Sequence, residues 1–366
     1  MKKSLISITV LLSTLLFMGS GCFSLGPEDP NQQPPRTGPG GMFVSEDKGE
    51  TWTAISRIPR ADGVKSLRGV SVYKLVQDPS DTEAMYWAAP GLGMYYTYDG
   101  GVTWQQSPQV KKGLIYNIAI HPKDKCTVYI TDGIKIYVSN DCSRHWKGIH
   151  DNIAADSDKY RTVIIDPFHT DRMTIISQKG RVLRSDNRGF SWDSIATIKS
   201  GISVVDAYYD PMNEDVMYAT TKTKGLFRSD DGGLTWSALL DNLRQYRGAN
   251  EFRRFYMHKS KPDVLFWISK YGILRSDDRG ETWSAYDLVT APGVASIYAF
   301  EINPKNDQEI YYTAAVGNKS SLYYSADGGV HWFTKKLPSD QIPSILLLHP
   351  EKENKLYLGF TIPATN

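Results

Sequence analysis

From residue 41 onward the chain is a series of short apolar runs rich in Val, Ile, Tyr and Phe, each cut off by Gly, Pro or Asp. Runs of this kind predict strands and an all-β fold. The plan of one unit is clear between residues 204 and 240. Val204–Pro211 predicts an inner strand ended by a proline turn, Val216–Thr220 a second strand, Leu226–Arg228 a third, and the segment after Trp236 a fourth. Inner strands with the same ending recur at Tyr73–Pro79, Tyr116–Pro122, Arg161–Pro167, Tyr298–Pro304 and Ser344–Pro350, while the copy at Arg253–Lys259 lacks its proline.

Between the third and fourth strands stands one octapeptide, Ser/Thr-x-Asp-x-Gly-x-x-Trp, written seven times at intervals of 42 to 52 residues. A repeat of that period means stacked or radial units. The copies carry Asp47 and Trp52, Asp99 and Trp104, Asp141 and Trp146, Asn187 and Trp192, Asp231 and Trp236, Asp278 and Trp283, and Asp327 and Trp332. The chemistry is that of a tight turn. Gly233 and its equivalents supply a positive φ, and Asp231 and its equivalents accept the turn's own N–H groups. The Trp offers a large apolar face, about 150–250 Å², to clamp between neighbouring units. Six repeated Asp and one Asn predict structure, because an enzyme needs one site. Two copies depart from the pattern: Asn187 replaces the Asp of the fourth, and Ser143 the Gly of the third. These predict weakened boxes, with Trp192 clamping less firmly than Trp236.

Four strands per repeat predict propeller blades. The repeat region opens with only a third and fourth strand, Met42–Ser45 and Thr51–Ser56, and closes with only a first and second, Ile345–Leu348 and Lys355–Phe360. Joined, they complete a seventh blade and clasp the ring.

The octapeptide is the Asp-box, or BNR repeat, and on these seven copies the chain resembles the Asp-box β-propellers: sialidases, xyloglucanases, sortilin-type receptors and the photosystem II assembly-factor propellers. The resemblance implies a box that is a surface turn and not an active site. In size, blade count and lipoprotein form the chain is most similar to the photosystem II assembly factors, which implies a scaffold role and an Arg-rich binding patch. Sialidases place an Arg-Ile-Pro before their first box; here Arg57-Ile58-Pro59 follows it. Sortilin-type receptors use ten blades and a Cys-rich module, neither of which is legible here.

The N-terminus adds a location. Residues 1–21 read as an export signal, with Lys2 and Lys3 before an apolar run from Leu5 to Met18. Gly19-Ser20-Gly21-Cys22 reads as a lipobox with Cys22 lipidated, the alternative being ordinary secretory cleavage. Residues 22–40, with five Pro, read as a tether, and 41–366 as the propeller. The reading therefore places the protein outside the cytoplasm, facing the periplasm or cell exterior and anchored to a membrane. Of the three cysteines, Cys126 and Cys142 remain to pair, and an oxidising compartment predicts a disulfide worth about 3 kcal/mol.

No phosphate loop, zinc helix or catalytic triad is present, and no catalytic residue, metal or cofactor is predicted. Asp206 and Glu301 point into inner strands but stand in separate blades, as isolated polar residues of a wet channel. Charge is more telling. The inter-blade connectors and second-to-third-strand loops, which open on one face, sum to about +11, while the chain without its first two lysines is neutral. Such separation steers an acidic partner onto that face. Its densest cations are Arg57, Arg60, Arg68, Lys111, Lys112, Arg161, Arg244, Arg247, Arg253 and Arg254, with Arg68, Lys112 and Arg254 expected at the axial mouth. The partner predicted is a protein with an acidic surface; carbohydrate is the alternative, through a glycoside hydrolase or a lectin-like propeller, and nucleic acid is set aside for an exported protein. If Cys22 carries lipid, exported Cys22→Ser protein becomes soluble; membrane fractionation that still finds it in the pellet places the anchor elsewhere.

Overall fold

The computed structural model describes residues 36–154, 156–239 and 241–363; Cys22, the export signal and the tether up to residue 35 lie outside the described residues. Seven antiparallel four-stranded sheets succeed one another around an axis. The first blade is Lys74–Asp78, Asp81–Ala89, Gly93–Thr97 and Gln105–Gln106. The second is Asn117–Ile120, Val128–Thr131, Lys135–Ser139 and Lys147–Asp151, and the third Tyr160–Ile165, Met173–Ser177, Arg181–Ser185 and Asp193–Thr197. The fourth runs Val204–Tyr209, Met217–Thr221, Leu226–Ser229 and Ser237–Ala238; the fifth Phe252–Met257, Leu265–Ser269, Ile273–Ser276 and Ser284–Ala285. The sixth holds Ser296–Ile302, Ile310–Val316, Lys319–Ser325 and Phe333–Lys336. The seventh takes its inner strands, Ile342–Leu348 and Leu356–Thr361, from the end of the chain and its outer ones, Gly41–Ser45 and Thr53–Ala54, from the beginning, with Gly41 opposite Phe360 and Ser45 opposite Leu356. The all-β, seven-bladed reading holds.

The box turn is built as its residue types require. In the seventh blade Gly49 N–H donates to Ser45 Oγ (2.7 Å), and Thr51 donates from N–H and Oγ1 to the two Asp47 oxygens (2.9 and 2.6 Å). The central backbone is left-handed, with Lys48 at φ 57° and Gly49 at 87°, where a glycine avoids the Cβ clash. The departures keep this geometry. Ser143 holds φ 66° and donates its N–H to Ser139 Oγ. Asn187 accepts from Ser191 N–H through Oδ1 (3.0 Å) and donates through Nδ2 to Ser191 Oγ (2.9 Å). The expected weakening of box four is therefore not seen in its bonds, because an amide offers one acceptor and one donor where the carboxylate offers two acceptors. Trp192 and Trp236 are both half-buried, each indole donating to its own box glycine carbonyl.

Each Trp packs against the preceding blade. Trp104 shares a core with Met42, Ile55 and Tyr357 of the seventh, Trp283 with Val216 and Leu226 of the fourth, and Trp332 with Phe266 and Ile273 of the fifth. Trp104 is wholly buried, its indole donating to Ile55 O (2.6 Å). Where the inner strand ends, on the same face as the boxes, a second turn motif repeats. The residue before the strand-end proline is buried and its side chain accepts the next turn's N–H: Asp78 from Ser80, His121 from Lys123, Asp166 from Phe168, Asp210 from Met212, Asn303 from Lys305 and His349 from Glu351. His258 does the same for Ser260 in the blade that lacks the proline. Cys126 and Cys142 form a disulfide, Cα atoms 4.1 Å apart, tying that turn of the second blade to its box.

One element was not foreseen. Arg57–Arg60 and Gly63–Ser66 form a two-stranded hairpin inserted where the sequence reads a plain connector. Ile58 and Leu67 anchor it in the core beside Trp104.

Trp104→Ala is expected to cost about 3–5 kcal/mol in denaturant unfolding and Trp236→Ala distinctly less; equal losses would deny that burial between blades sets the clamp. A second expectation concerns acid. Hydrogen bonds from Ser45 and Thr51 hold Asp47 down to about 2, and those from the following His hold Asp141 and Asp327 equally low. Because the folded value lies below the ordinary one, this stabilisation is complete above the unfolded carboxylate's pKa and fades as pH falls toward about 2. Melting temperature should therefore drop between pH 4 and 2, and the drop should be shallower in Asp47→Asn, which keeps box-four chemistry without a titrating group.

Candidate functional site

The inner strands begin at one mouth of the axis, and there most of them are irregular. Register shifts fall at Tyr160/Thr162, Val204/Asp206, Phe252/Arg254, Ile297/Ala299 and Ile342/Ile345. A bulge puts an extra residue into one strand and re-aims its side chain. The positions so placed, with Tyr73 and Tyr116 just before the first two inner strands, are Tyr73, Tyr116, Arg161, Val205, Arg253, Tyr298 and Ser344. Each stands six residues before the strand-end proline or its Lys259 equivalent. The mouth is thus ringed by three Tyr and two Arg.

Below the ring lies a cavity of about 560 Å³, lined among others by Tyr73, Tyr116, Arg253, Arg254, Tyr256 and Tyr298. The Arg254 guanidinium donates to Arg253 O (2.9 Å) and across the mouth to Ser344 O (3.3 Å), leaving further donors for a ligand. The Arg161 guanidinium lies 4.7 Å from the Tyr116 ring centre, a cation–π distance; its Nε is buried and has no hydrogen-bond partner among the described residues.

Deeper in, both carboxylates are occupied. Lys74 of the first blade meets Asp206 of the fourth at 2.8 Å, and Lys259 meets Glu301 at 2.7 Å. Lys74, Asp206 and Tyr208 line both the upper cavity and a lower one of about 290 Å³, so the first pair forms a partition across the axis. Burial first, then the Asp206 charge, push the Tyr208 hydroxyl well above its ordinary value and keep it a neutral donor. The expectation of isolated channel carboxylates is corrected to ion pairs, which offset the cost of burying either charge alone. Among the described residues no His, Cys, Asp or Glu cluster could hold a metal ion.

The ten cations singled out in the sequence divide. Arg253 and Arg254 line the cavity and Arg161 borders it. Arg68 and Lys112, expected at the mouth, do not line it; with Arg57, Arg60, Lys111, Arg244 and Arg247 they are exposed on hairpin and connectors around the rim. Arg244 pairs with Asp241 (2.7 Å), while the other exposed rim cations make no ion pair among the described residues. On the box face the opposite holds. Arg172 bridges Asp166, Asp186 and Asp215, Arg228 bridges Asp230 and Glu281, and Lys355 pairs with Glu46.

Seven Asp-box blades around a basic, aromatic mouth define an Asp-box β-propeller. The Sortilin-Vps10 family model (sortilin, neurotensin receptor 3) matches residues 40–157 and 180–273, more than half of the sequence, and the chain belongs to that family. It is 32% identical over 87 residues to a probable oligoxyloglucan-reducing end-specific xyloglucanase of Neosartorya fischeri, covering 23% of this chain and 10% of that protein. To the corresponding Emericella nidulans xyloglucanase it is 28% identical over 115 residues, 30% of this chain and 14% of that one. The matched stretch thus spans a small fraction of these curated relatives. Among solved structures, the GH74 xyloglucanase of Xanthomonas campestris is similar with a TM-score of 0.61 at 15% identity, over 89% of this chain and 53% of that one. YCF48 bound to D1 peptide gives 0.60 at 13%, over 89% and 99%. YCF48 from Cyanidioschyzon merolae gives 0.62 at 13%, over 80% and 95%. At these identities the likeness shows the fold alone.

Proposed function

We propose that the protein is a non-catalytic binding scaffold, held at a membrane outside the cytoplasm through Cys22, that captures an acidic segment of a protein partner at the axial mouth. One observation carries this reading: Arg161, Arg253 and Arg254 stand among tyrosines with no carboxylate partner among the described residues, while both carboxylates inside are held by lysines. Arg and Tyr in a concave, partly dry setting are the residues that dominate protein interfaces, and the unpaired rim cations supply steering. The description of YCF48 as bound to a peptide supports a peptide as the class of ligand.

The second reading, a glycoside hydrolase or carbohydrate-binding propeller, draws on the xyloglucanase relatives and the tyrosine-lined mouth. Glycoside cleavage uses two carboxyl groups about 5–10 Å apart, one of them protonated. Asp206 and Glu301 are each already engaged by a lysine ammonium group, at 2.8 and 2.7 Å, which favours the scaffold.

The test is fluorescence anisotropy with a labelled synthetic acidic peptide and its basic counterpart. The acidic peptide should bind, more weakly as salt rises to physiological strength, because exposed charges are screened beyond about 8–10 Å. Arg161→Glu with Arg253→Glu should weaken it about tenfold or more at unchanged melting temperature, and Lys123→Glu with Arg144→Glu on the box face should not. No binding of the acidic peptide, together with binding or cleavage of xyloglucan oligosaccharides, overturns the scaffold in favour of the second reading.

A further inference from the structure

The chain enters the propeller on the same face as the axial mouth. Residues 36–40, read from sequence as the end of the tether, are pinned there. The Arg36 guanidinium donates to Asp340 O (2.8 Å), Gly317 O (3.1 Å) and Ser320 Oγ (3.0 Å). The Gln341 side-chain amide donates to Arg36 O (3.2 Å) and Gly38 O (3.3 Å), and Asp340 N–H donates to Thr37 O (3.1 Å). Gly317 and Ser320 flank the loop between the second and third strands of the sixth blade, and Asp340 and Gln341 belong to the connector into the seventh. Both segments open on the mouth face, opposite the Asp-boxes.

Thirteen residues separate Cys22 from Arg36. Fully extended they reach about 45 Å. A propeller of this length has a radius of gyration of about 20 Å and is about 50 Å across. A tether leaving from the mouth face can therefore lie between that face and a bilayer, but to set the box face against the bilayer it would have to run nearly straight over the rim.

We infer that the Arg36 clip is an orienting device: the lipid-anchored propeller turns its basic mouth toward the membrane, and the acidic segment it takes is carried by a membrane-embedded protein close to the bilayer surface. This rests on the scaffold reading and on the lipid at Cys22. A concave mouth ringed by Tyr73, Tyr116 and Tyr298 suits an inserted chain segment better than a flat headgroup layer.

The experiment uses the full lipid-modified chain in phosphatidylcholine vesicles, with Lys222→Cys or Phe190→Cys labelled by a fluorophore and nitroxide-headgroup lipid as quencher. Lys222 is exposed on a mouth-face loop of the fourth blade, and Phe190 is exposed in a box turn. Quenching should be several-fold stronger at Lys222→Cys, and Arg36→Ala should shrink the contrast. Equal quenching, stronger quenching at Phe190→Cys, or failure of the chain to float with the vesicles overturns the orientation. The peptide measurement with Cys22→Ser protein is independent of this one, so the two readings fail separately. Phosphatidylglycerol vesicles that bind Cys22→Ser protein and compete with the acidic peptide would make lipid the occupant of the mouth and overturn the protein-borne segment.

Discussion

Everything in this ring depends on an indole held between two sheets. A single four-stranded sheet cannot bury both of its faces, so each blade is stable only against its neighbours. The box turn fixes where the outer strand starts, and the Trp that follows is thereby aimed at the preceding blade. Trp104 shows the arrangement at its fullest: wholly buried, bonded to Ile55 O and packed on Met42, it joins the first blade to the strands that begin the repeat region. Because those strands pair with Leu356–Thr361 from the far end of the chain, the same interface ties the two ends together. A ring closed in this way leaves only short inner edges, turned toward the axis.

Closure at the boxes leaves the other face free to vary. On the box face, the short spacing between turns brings Asp and Glu within reach of Arg and Lys of the same or the adjacent blade, and Arg172, Arg228 and Lys355 are consumed there. Connectors on the mouth face carry fewer acids than bases; Lys65 and Arg244 pair with Asp62 and Asp241, but Arg57, Arg60, Arg68, Lys111, Lys112 and Arg247 make no ion pair among the described residues. The charge asymmetry is thus a by-product of repeat geometry until the bulges act on it. By re-aiming one residue at the start of most inner strands, the bulges turn diffuse positive charge into a ring with Arg161 and Arg253 at fixed places among tyrosines.

Much of the fold was legible because its determinants are local. The box spacing, the strand-end prolines and the incomplete first and last repeats each lie within a few residues of one another, and they give blade number, strand order and the pairing of the two ends. The site was legible only in part. Arg253 and Arg254 could be placed at the mouth because they begin an inner strand, whereas Arg68 and Lys112 sit on connectors whose path no local rule describes. The Arg57–Ser66 hairpin was missed for the same reason: Pro59 and the short spacing read as a connector, and only Ile58 and Leu67 anchoring in the core make it a defined element. The Lys74–Asp206 pair joins residues 132 apart, and only the ring's curvature brings them together.

That pair also bears on the choice between the scaffold and the glycoside-hydrolase readings. An open axis lets water and counterions reach any channel carboxylate, and a glycosidase exploits this by leaving one carboxyl with a raised pKa and the other free. Here an ammonium group from across the ring meets Asp206, and Lys259 meets Glu301 from the neighbouring blade. Each lysine ammonium engages one carboxylate oxygen, Asp206 Oδ2 or Glu301 Oε1, that a sugar hydroxyl or a water nucleophile would otherwise reach. The lysines are themselves neutralised and add little attraction for an anion deep in the channel. Net positive potential is therefore confined to the rim and first layer, where Arg161, Arg253 and Arg254 stand. On the scaffold reading a ligand is drawn to the mouth, and the Lys74–Asp206 pair forms the floor beneath it.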